Sequence, residues 1–334
     1  MSQTATPVAQ GDPPTGSPTR DRLLGYLSGS GGAAAGFVAL FVIMSLTVPY
    51  FFTGRNLINI VDQVAVLGIL ALGATYVIIT GGIDLSVGAV LALSGMVMGW
   101  LSHEMGMPLP FAMLVAVGVG ALCGLLNGLG VTRMKLPPFI ATLAMMSIAR
   151  GLANLVTNGE QIVGYPEWFY DLSSRRYLGF LSVTTLLLVL LFVAGAYFLS
   201  HRTGGREVYA VGGGKEVARL AGINVRKVTT WVYVLAGALA AVGAIVLSSR
   251  LDSSQPSAGN GYELDVIAAV VIGGASLTGG TGKVSGTIFG VLIIGCLRNG
   301  LNLLGVSPFV QQVVIGLVIA VAVGADVLRR RADA

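Results

Sequence analysis

Apolar residues come in about ten long stretches along the 334-residue chain, separated by short Gly-rich or polar breaks. A helix needs about 20 apolar residues to cross the roughly 30 Å hydrocarbon core of a bilayer. The stretches fall near 33–52, 57–80, 86–101, 109–131, 137–157, 179–200, 228–249, 264–277, 285–304 and 309–327. The third and eighth are short, as broken or re-entrant helices are where backbone is buried in protein or lines a cavity. The pattern predicts an all-α polytopic membrane protein of about ten transmembrane helices over residues 32–328, with both termini on one side. One polar loop is much longer than the others, spanning residues 201–227.

Composition agrees. Hydrophobic residues make up 54% of the chain and charged residues 10%, with a mean hydropathy of +0.82, whereas soluble domains carry about 25% charge. The net charge of +5 is therefore read through topology and not as a nucleic-acid footprint. With the N-terminus inside, Arg20, Arg22, Arg133, Lys135, Arg202, Arg206, Lys215, Arg219, Arg226, Lys227, Lys283 and Arg329–Arg331 are cytoplasmic. Only Arg55, Arg175, Arg176, Arg250 and Arg298 are outside, and Arg150 falls within a span. That bias places both termini and the 201–227 loop in the cytoplasm. Residues 1–31, rich in Pro, Thr, Ser and Gly, read as a disordered cytoplasmic tail, and 329–334 as a basic C-terminal tail. Cys123 and Cys296 lie in apolar runs, and a disulfide framework is not indicated.

Two glycine ladders, Gly120–Gly124–Gly128 and Gly282–Gly286–Gly290, have four-residue spacing. It places each set on one helix face and permits close backbone packing, within one subunit or between two. The string Gly81-Gly82-Ile83-Asp84-Leu85-Ser86-Val87-Gly88 reads either as a capped turn or as a broken helix whose Asp84 and Ser86 line a permeation route or its gate. A related string, Gly273–Gly280, fits the same Gly-Gly-x-x-Leu-Ser/Thr-x-Gly pattern and hints at an internal repeat. Polar groups within spans are few: Asn59, Asp62, Gln63, Asn127, Arg150, Asn154, Asp265, Asn299, Asn302, Gln311 and Gln312. Of these, Asn59, Asp62, Arg150, Asn154, Asn299, Asn302 and Gln311 join Asp84 and Ser86 as candidates for the path or gate. Asp62 and Asp265 fall near the outer ends of their spans, which fits a weakly polar path for an uncharged solute better than an ion-coupled relay.

No catalytic or metal-binding signature is present. Gly279-Gly280-Thr281-Gly282-Lys283-Val284 approaches a phosphate loop but fails it. Leu277 stands where the first glycine is required, and Val284 replaces the Ser or Thr that would reach magnesium. The chain reads as a transport subunit without its own ATPase site.

Within the long loop, Lys215-Glu216-Val217-Ala218-Arg219-Leu220-Ala221 predicts a short helix ended by Gly222 and followed by Ile223. Val217, Leu220 and Ala221 form an apolar face while Lys215, Glu216 and Arg219 stay in water. Two turns are marginal alone, so that face packs on this protein's own spans or fills a groove in a partner. The segment Glu216-x-Ala218-x-x-x-Gly222-Ile223 resembles the coupling segment of ABC importer permeases. Taken with Gly81–Gly88, Lys135–Ala153 and Arg298–Gly316, the chain resembles the ribose-type monosaccharide ABC permeases over nearly everything after the N-terminal tail. The resemblance implies a type II-like importer fold and a homodimer of permeases in the bacterial cytoplasmic membrane. It also implies a separate cytoplasmic ATPase that holds ATP and magnesium, and a periplasmic or lipid-anchored sugar-binding protein. The 215–223 segment would then be the ATPase-coupling element. Permeases for branched-chain amino acids or nucleosides have similar membrane subunits. A stand-alone facilitator, an ion-coupled carrier or an intramembrane enzyme are readings from other classes.

Overall fold

The computed structural model describes residues 30–332. The expected N-terminal tail lies outside these residues, apart from Ser30 and Gly31, which already open the first helix. The helices are α1 (Ser30–Thr47), α2 (Gly54–Ile79), α3 (Val87–His103), α4 (Leu109–Thr132), α5 (Pro138–Leu155), α6 (Glu167–Ser174), α7 (Val183–His201), α8 (Thr203–Gly213), α9 (Lys215–Leu220), α10 (Val225–Leu251), α11 (Tyr262–Ile272), α12 (Val284–Leu303) and α13 (Pro308–Ala332). Two two-residue strands, β1 (Ile162–Val163) and β2 (Ser253–Ser254), pair antiparallel with Ile162 opposite Ser254. Each of the ten apolar stretches coincides with a helix. Six of these, α2, α4, α5, α7, α10 and α12, are long and apolar enough to cross a membrane. The backbone of α13 continues through Arg329–Arg331, where a tail was expected.

The centre of the fold is α2, buried without interruption from Val64 to Ile79. A helix apolar on every face belongs inside a bundle. Beside it runs α10, which packs on α2, α3 and α4. The α4–α10 contact is made by the first glycine ladder. A Cβ on Gly124 would stand 2.1 Å from the Tyr233 carbonyl oxygen, and one on Gly120 would stand 2.3 Å from that of Gly237. A Cβ on Gly128 would lie 2.8 Å from Thr230 Cα. The second ladder is also intramolecular. Gly286 meets the Gly273 carbonyl and Gly290 that of Ala269, with a Cβ at 1.9 and 1.8 Å respectively. Gly282, however, is not on that helix face. It precedes α12, whose N-cap is Lys283, and lies against Ala275 and Ile79.

The short spans have different explanations. α3 is a 17-residue helix approached through a non-helical segment, residues 82–86. α11 has only 11 residues, about 16 Å of helix, half of a hydrocarbon core. The chain before it runs down α3 without helical structure. Ser254 sits near Gly95, and the Gly259 carbonyl is so close to Gly88 that a Cβ there would meet it at 2.2 Å. The first turn of α11, carrying Glu263 and Asp265, therefore lies beside the first turn of α3. This is deeper than the outer-end position suggested for Asp265 by its place in the sequence.

Replacing Gly124 with Leu drives a side chain into the Tyr233 carbonyl. The expected loss is about 3 kcal/mol, read as a lowered unfolding midpoint of the detergent-solubilised protein. The same change at Gly118, which has open space around it, should have little effect.

Candidate translocation site and coupling surface

Within the Gly81–Gly88 string residues 82–86 are non-helical, and α3 opens at Val87 with no side-chain cap from Ser86. Gly81 takes φ +74°, a conformation that L side chains rarely adopt. Asp84 Oδ1 accepts from the Ser86 backbone N–H at 2.9 Å and from its hydroxyl at 2.6 Å. Asn127 of α4 donates to the Ser86 hydroxyl oxygen at 2.9 Å. The Ile83 carbonyl receives Thr142 of α5 at 3.2 Å and Tyr233 of α10 at 3.4 Å. Three helices thus pin this segment, and both Asp84 and Ser86 are buried. Asn127 Oδ1 is buried without a partner.

The two Gly-Gly strings come together at one place. The Gly280 N–H donates to the Ile79 carbonyl at 2.9 Å. A Cβ on Gly279 would lie 2.9 Å from the Gly81 nitrogen, and one on Gly212 of α8 would lie 1.8 Å from the Ile79 oxygen. The end of α2, the turn before α12 and the end of α8 therefore meet backbone to backbone. Tyr209 of α8 ties the same corner by donating to the Gly282 carbonyl at 2.6 Å; burial pushes its phenol pKa up, so it remains a neutral donor.

The other path candidates are scattered. Asn59 is exposed. Asp62 forms an ion pair with Arg176, which joins α2 to the loop after α6. Arg150 Nη1 donates to the carbonyls of Pro256 and Ala258 at 2.6 and 2.9 Å, satisfying the non-helical chain ahead of α11. Asn154 is exposed on α5 and donates back to the Arg150 carbonyl at 2.8 Å. Asn299 exchanges two hydrogen bonds with Asn56, at 2.8 and 2.9 Å. Gln311 donates to Asn302 Oδ1 at 2.7 Å and to the Val306 carbonyl at 2.9 Å, closing the α12–α13 turn.

Sequence reasoning missed Asn56 because it precedes the apolar run of α2. It also missed the pair between Asp265 and Arg298 at 2.5 Å, since nothing along the chain couples α11 to the far end of α12. In the loop after α5, the Tyr165 hydroxyl contacts Ser254 at 2.7 Å, and burial pushes that phenol up to about 12.

α9 follows its sequence closely. Gly222 has φ +82°. Its N–H reaches the Arg219 carbonyl and that of Ile223 the Ala218 carbonyl, both at 3.0 Å, the bond pair of a Schellman stop. Ala218 is 2% exposed, whereas Val217 and Leu220 are 72% and 83% exposed. Lys215, Glu216, Arg219, Ala221 and Gly222 are exposed as well, and Glu216 pairs with Arg219 at 2.6 Å. The apolar face expected from Val217, Leu220 and Ala221 packs on nothing in this chain: all three are exposed, and the residue that anchors the helix is Ala218, outside that face.

Residues 56–323 match the family described as branched-chain amino acid transport system / permease component, and the chain belongs to this family of multi-pass membrane permeases. Among its relatives is the ribose import permease protein of Bacillus subtilis (strain 168), 46% identical over 297 residues, covering 88% of this chain and 92% of the relative. The ribose import permease protein of Escherichia coli (strain K12) is 44% identical over 298 residues, covering 86% and 91%. The fructose import permease protein of Rhizobium meliloti is 39% identical over 284 residues, covering 83% and 79%. No solved structure matches the chain.

The Asn56–Asn299 pair lends itself to a double-mutant cycle. Either Asn→Leu change alone strands one buried amide and should cost about 1–2 kcal/mol. The double change should recover most of that loss in the unfolding midpoint; strictly additive losses would show that the two side chains do not interact.

Proposed function

We propose that the chain is the membrane-spanning subunit of an ATP-driven sugar importer in the bacterial cytoplasmic membrane, with ribose or a close relative as its solute. The strong identity to ribose import permeases along most of both chains supports the solute class. The observation that carries the mechanism is α9, a capped, anchored helix with two large apolar side chains left bare in the 201–227 loop. Such a knob suits the groove of a cytoplasmic ATPase, which supplies the ATP and magnesium chemistry absent from this chain's sequence. Gly212 and Gly280 join the helix before α9 to the ends of α2 and α12. Closure of the ATPase pair therefore reaches the spans through backbone contacts, and rigid helix groups rock about the path.

The orientation rests on the basic bias of the inner segments, with ten crossings completed by α1, α3, α13 and the two-part eighth span. A second copy of the permease faces α5. Its uncovered side carries Ala144, Ser147, Gly151 and Asn154, at three- and four-residue spacings that align on one helix face. An amide and a hydroxyl turned toward lipid are costly, so this stripe belongs to the path between two copies. Asp84 and Ser86 hold the inner gate, Arg150 braces the broken span beside the path, and Asn59, Asp62, Asn299, Asn302 and Gln311 order the outer ends of the helices. A sugar-binding protein docks on the outer loops and accounts for most selectivity; nucleic acid has no role.

Replacing Val217 and Leu220 with Asp should lower sugar uptake more than tenfold in proteoliposomes holding the full complex, while the permease keeps its unfolding midpoint. Uptake at the wild-type rate would overturn the coupling assignment, and uptake by the permease alone would make it a facilitator. In the same preparation, Cys placed at Ser147 or Asn154 should react with a water-soluble thiol reagent, and Cys placed at Leu186, on the lipid-facing side of α7, should not. Equal labelling would remove α5 from the path.

A further inference from the structure

The side of the molecule formed by α2, α7 and α12 bears a groove of about 260 Å³ that opens laterally. Its lining is apolar except for Ser285 at one end. Val64 and Phe192 form buried walls, while Val193, Ser285 and Ile288 reach the surface. On α12 the lining extends from Ser285 to Leu292, about 10 Å along the helix. On α7 it extends from Leu188 to Ala196, about 12 Å.

The Ser285 end is basic. Lys283 is two residues before Ser285, and Arg206 is one turn before Tyr209, whose hydroxyl holds the Gly282 carbonyl. Both cations are exposed, and neither has a carboxylate partner among the described residues. The two charges therefore flank one corner, where α8 meets the start of α12. A second copy is not the natural occupant, because the polar face proposed for it is on α5, which packs on α3 and α4 and not on the helices lining the groove.

We propose that this groove seats one acyl chain of an anionic glycerophospholipid from the inner leaflet, with its phosphate held between Arg206 and Lys283. The chemistry on each part matches: hydrocarbon against an apolar slot, and a headgroup charge at two unpaired cations on the leaflet whose surface is negative. The proposal rests on the inward orientation of the 201–227 loop but not on the identity of the solute.

The test uses the full permease–ATPase complex reconstituted in vesicles of equal parts phosphatidylglycerol and phosphatidylcholine, re-extracted in mild detergent. Retained lipid is then quantified by mass spectrometry. The wild type should retain phosphatidylglycerol in clear excess over phosphatidylcholine. Arg206→Gln and Lys283→Gln should each reduce that excess about fivefold, the effect of about 1 kcal/mol per basic residue at the surface. Ile288→Trp, which fills the slot, should lower total retained lipid. If that variant fails to fold, the two exposed charge changes decide the matter. Equal retention of both lipids by the wild type, or an excess that survives the double charge change, would overturn the proposal. So would disulfide formation between two copies carrying Cys at Val193 in native membranes, which would make the groove an interface. Lipid retention is measured without sugar, so a wrong solute assignment leaves this result untouched.

Discussion

The structure depends on backbone meeting backbone without side chains between. At the corner where α2 ends, Ile79 and Gly81 touch Gly212 from α8 and Gly279–Gly280 from the turn before α12. Added Cβ atoms here would sit within 3 Å of main-chain atoms at several points, so the joint has no compressible layer. A side-chain contact can absorb a small displacement by changing rotamer; a carbonyl against a glycine Cα cannot. The same construction recurs along the α4–α10 and α11–α12 seams. Close glycine contact replaces the hydrophobic drive that lipid removes from helix association. High glycine content is thus a mechanical property of the bundle.

Breaking helices inside a membrane exposes peptide groups that must find partners. Two stretches do so here, and each recruits polar groups from neighbouring helices. For residues 82–86 the partners are Asn127, Thr142 and Tyr233; for the chain ahead of α11, Arg150 takes two carbonyls at once. Most of the rare polar residues in the spans hold backbone or one another.

The reach of the sequence follows from the distance over which each feature acts. The apolar stretches matched helices because length and hydropathy are local properties, and α9 could be read because its glycine stop is encoded within nine residues. The four-residue ladder on α4 was legible as a packing face, but its partner α10 was not, since Gly237 and Gly243 of that helix are six apart and form no such ladder. Gly282 continued the spacing of the second ladder yet sits before the helix, because spacing does not mark where a helix begins. Asp84 and Arg150 were visible as costly groups, while what they bind depended on a tertiary arrangement. The half-extended eighth span appeared only as a shortage of apolar residues, and its course along α3 has no signature in the chain.

α9 is too short to be stable alone, yet it carries the most exposed apolar pair in the 201–227 loop. Three features hold it: the αL glycine that stops it, Ala218 buried beneath it, and Gly214, which accepts from the Ala218 N–H at 2.9 Å and links it to α8. The helix is therefore fixed to the C-terminal end of α8, where Gly212 forms part of the glycine corner. A push on Val217 and Leu220 has no soft element in which to dissipate before it reaches Ile79. From there it enters α2, buried without a break from Val64 to Ile79, and α12 through residues 279–282. Displacing either alone would open the glycine seams at the cost of their closest contacts, so a load applied at α9 favours movement of packed helix groups over bending of a single span.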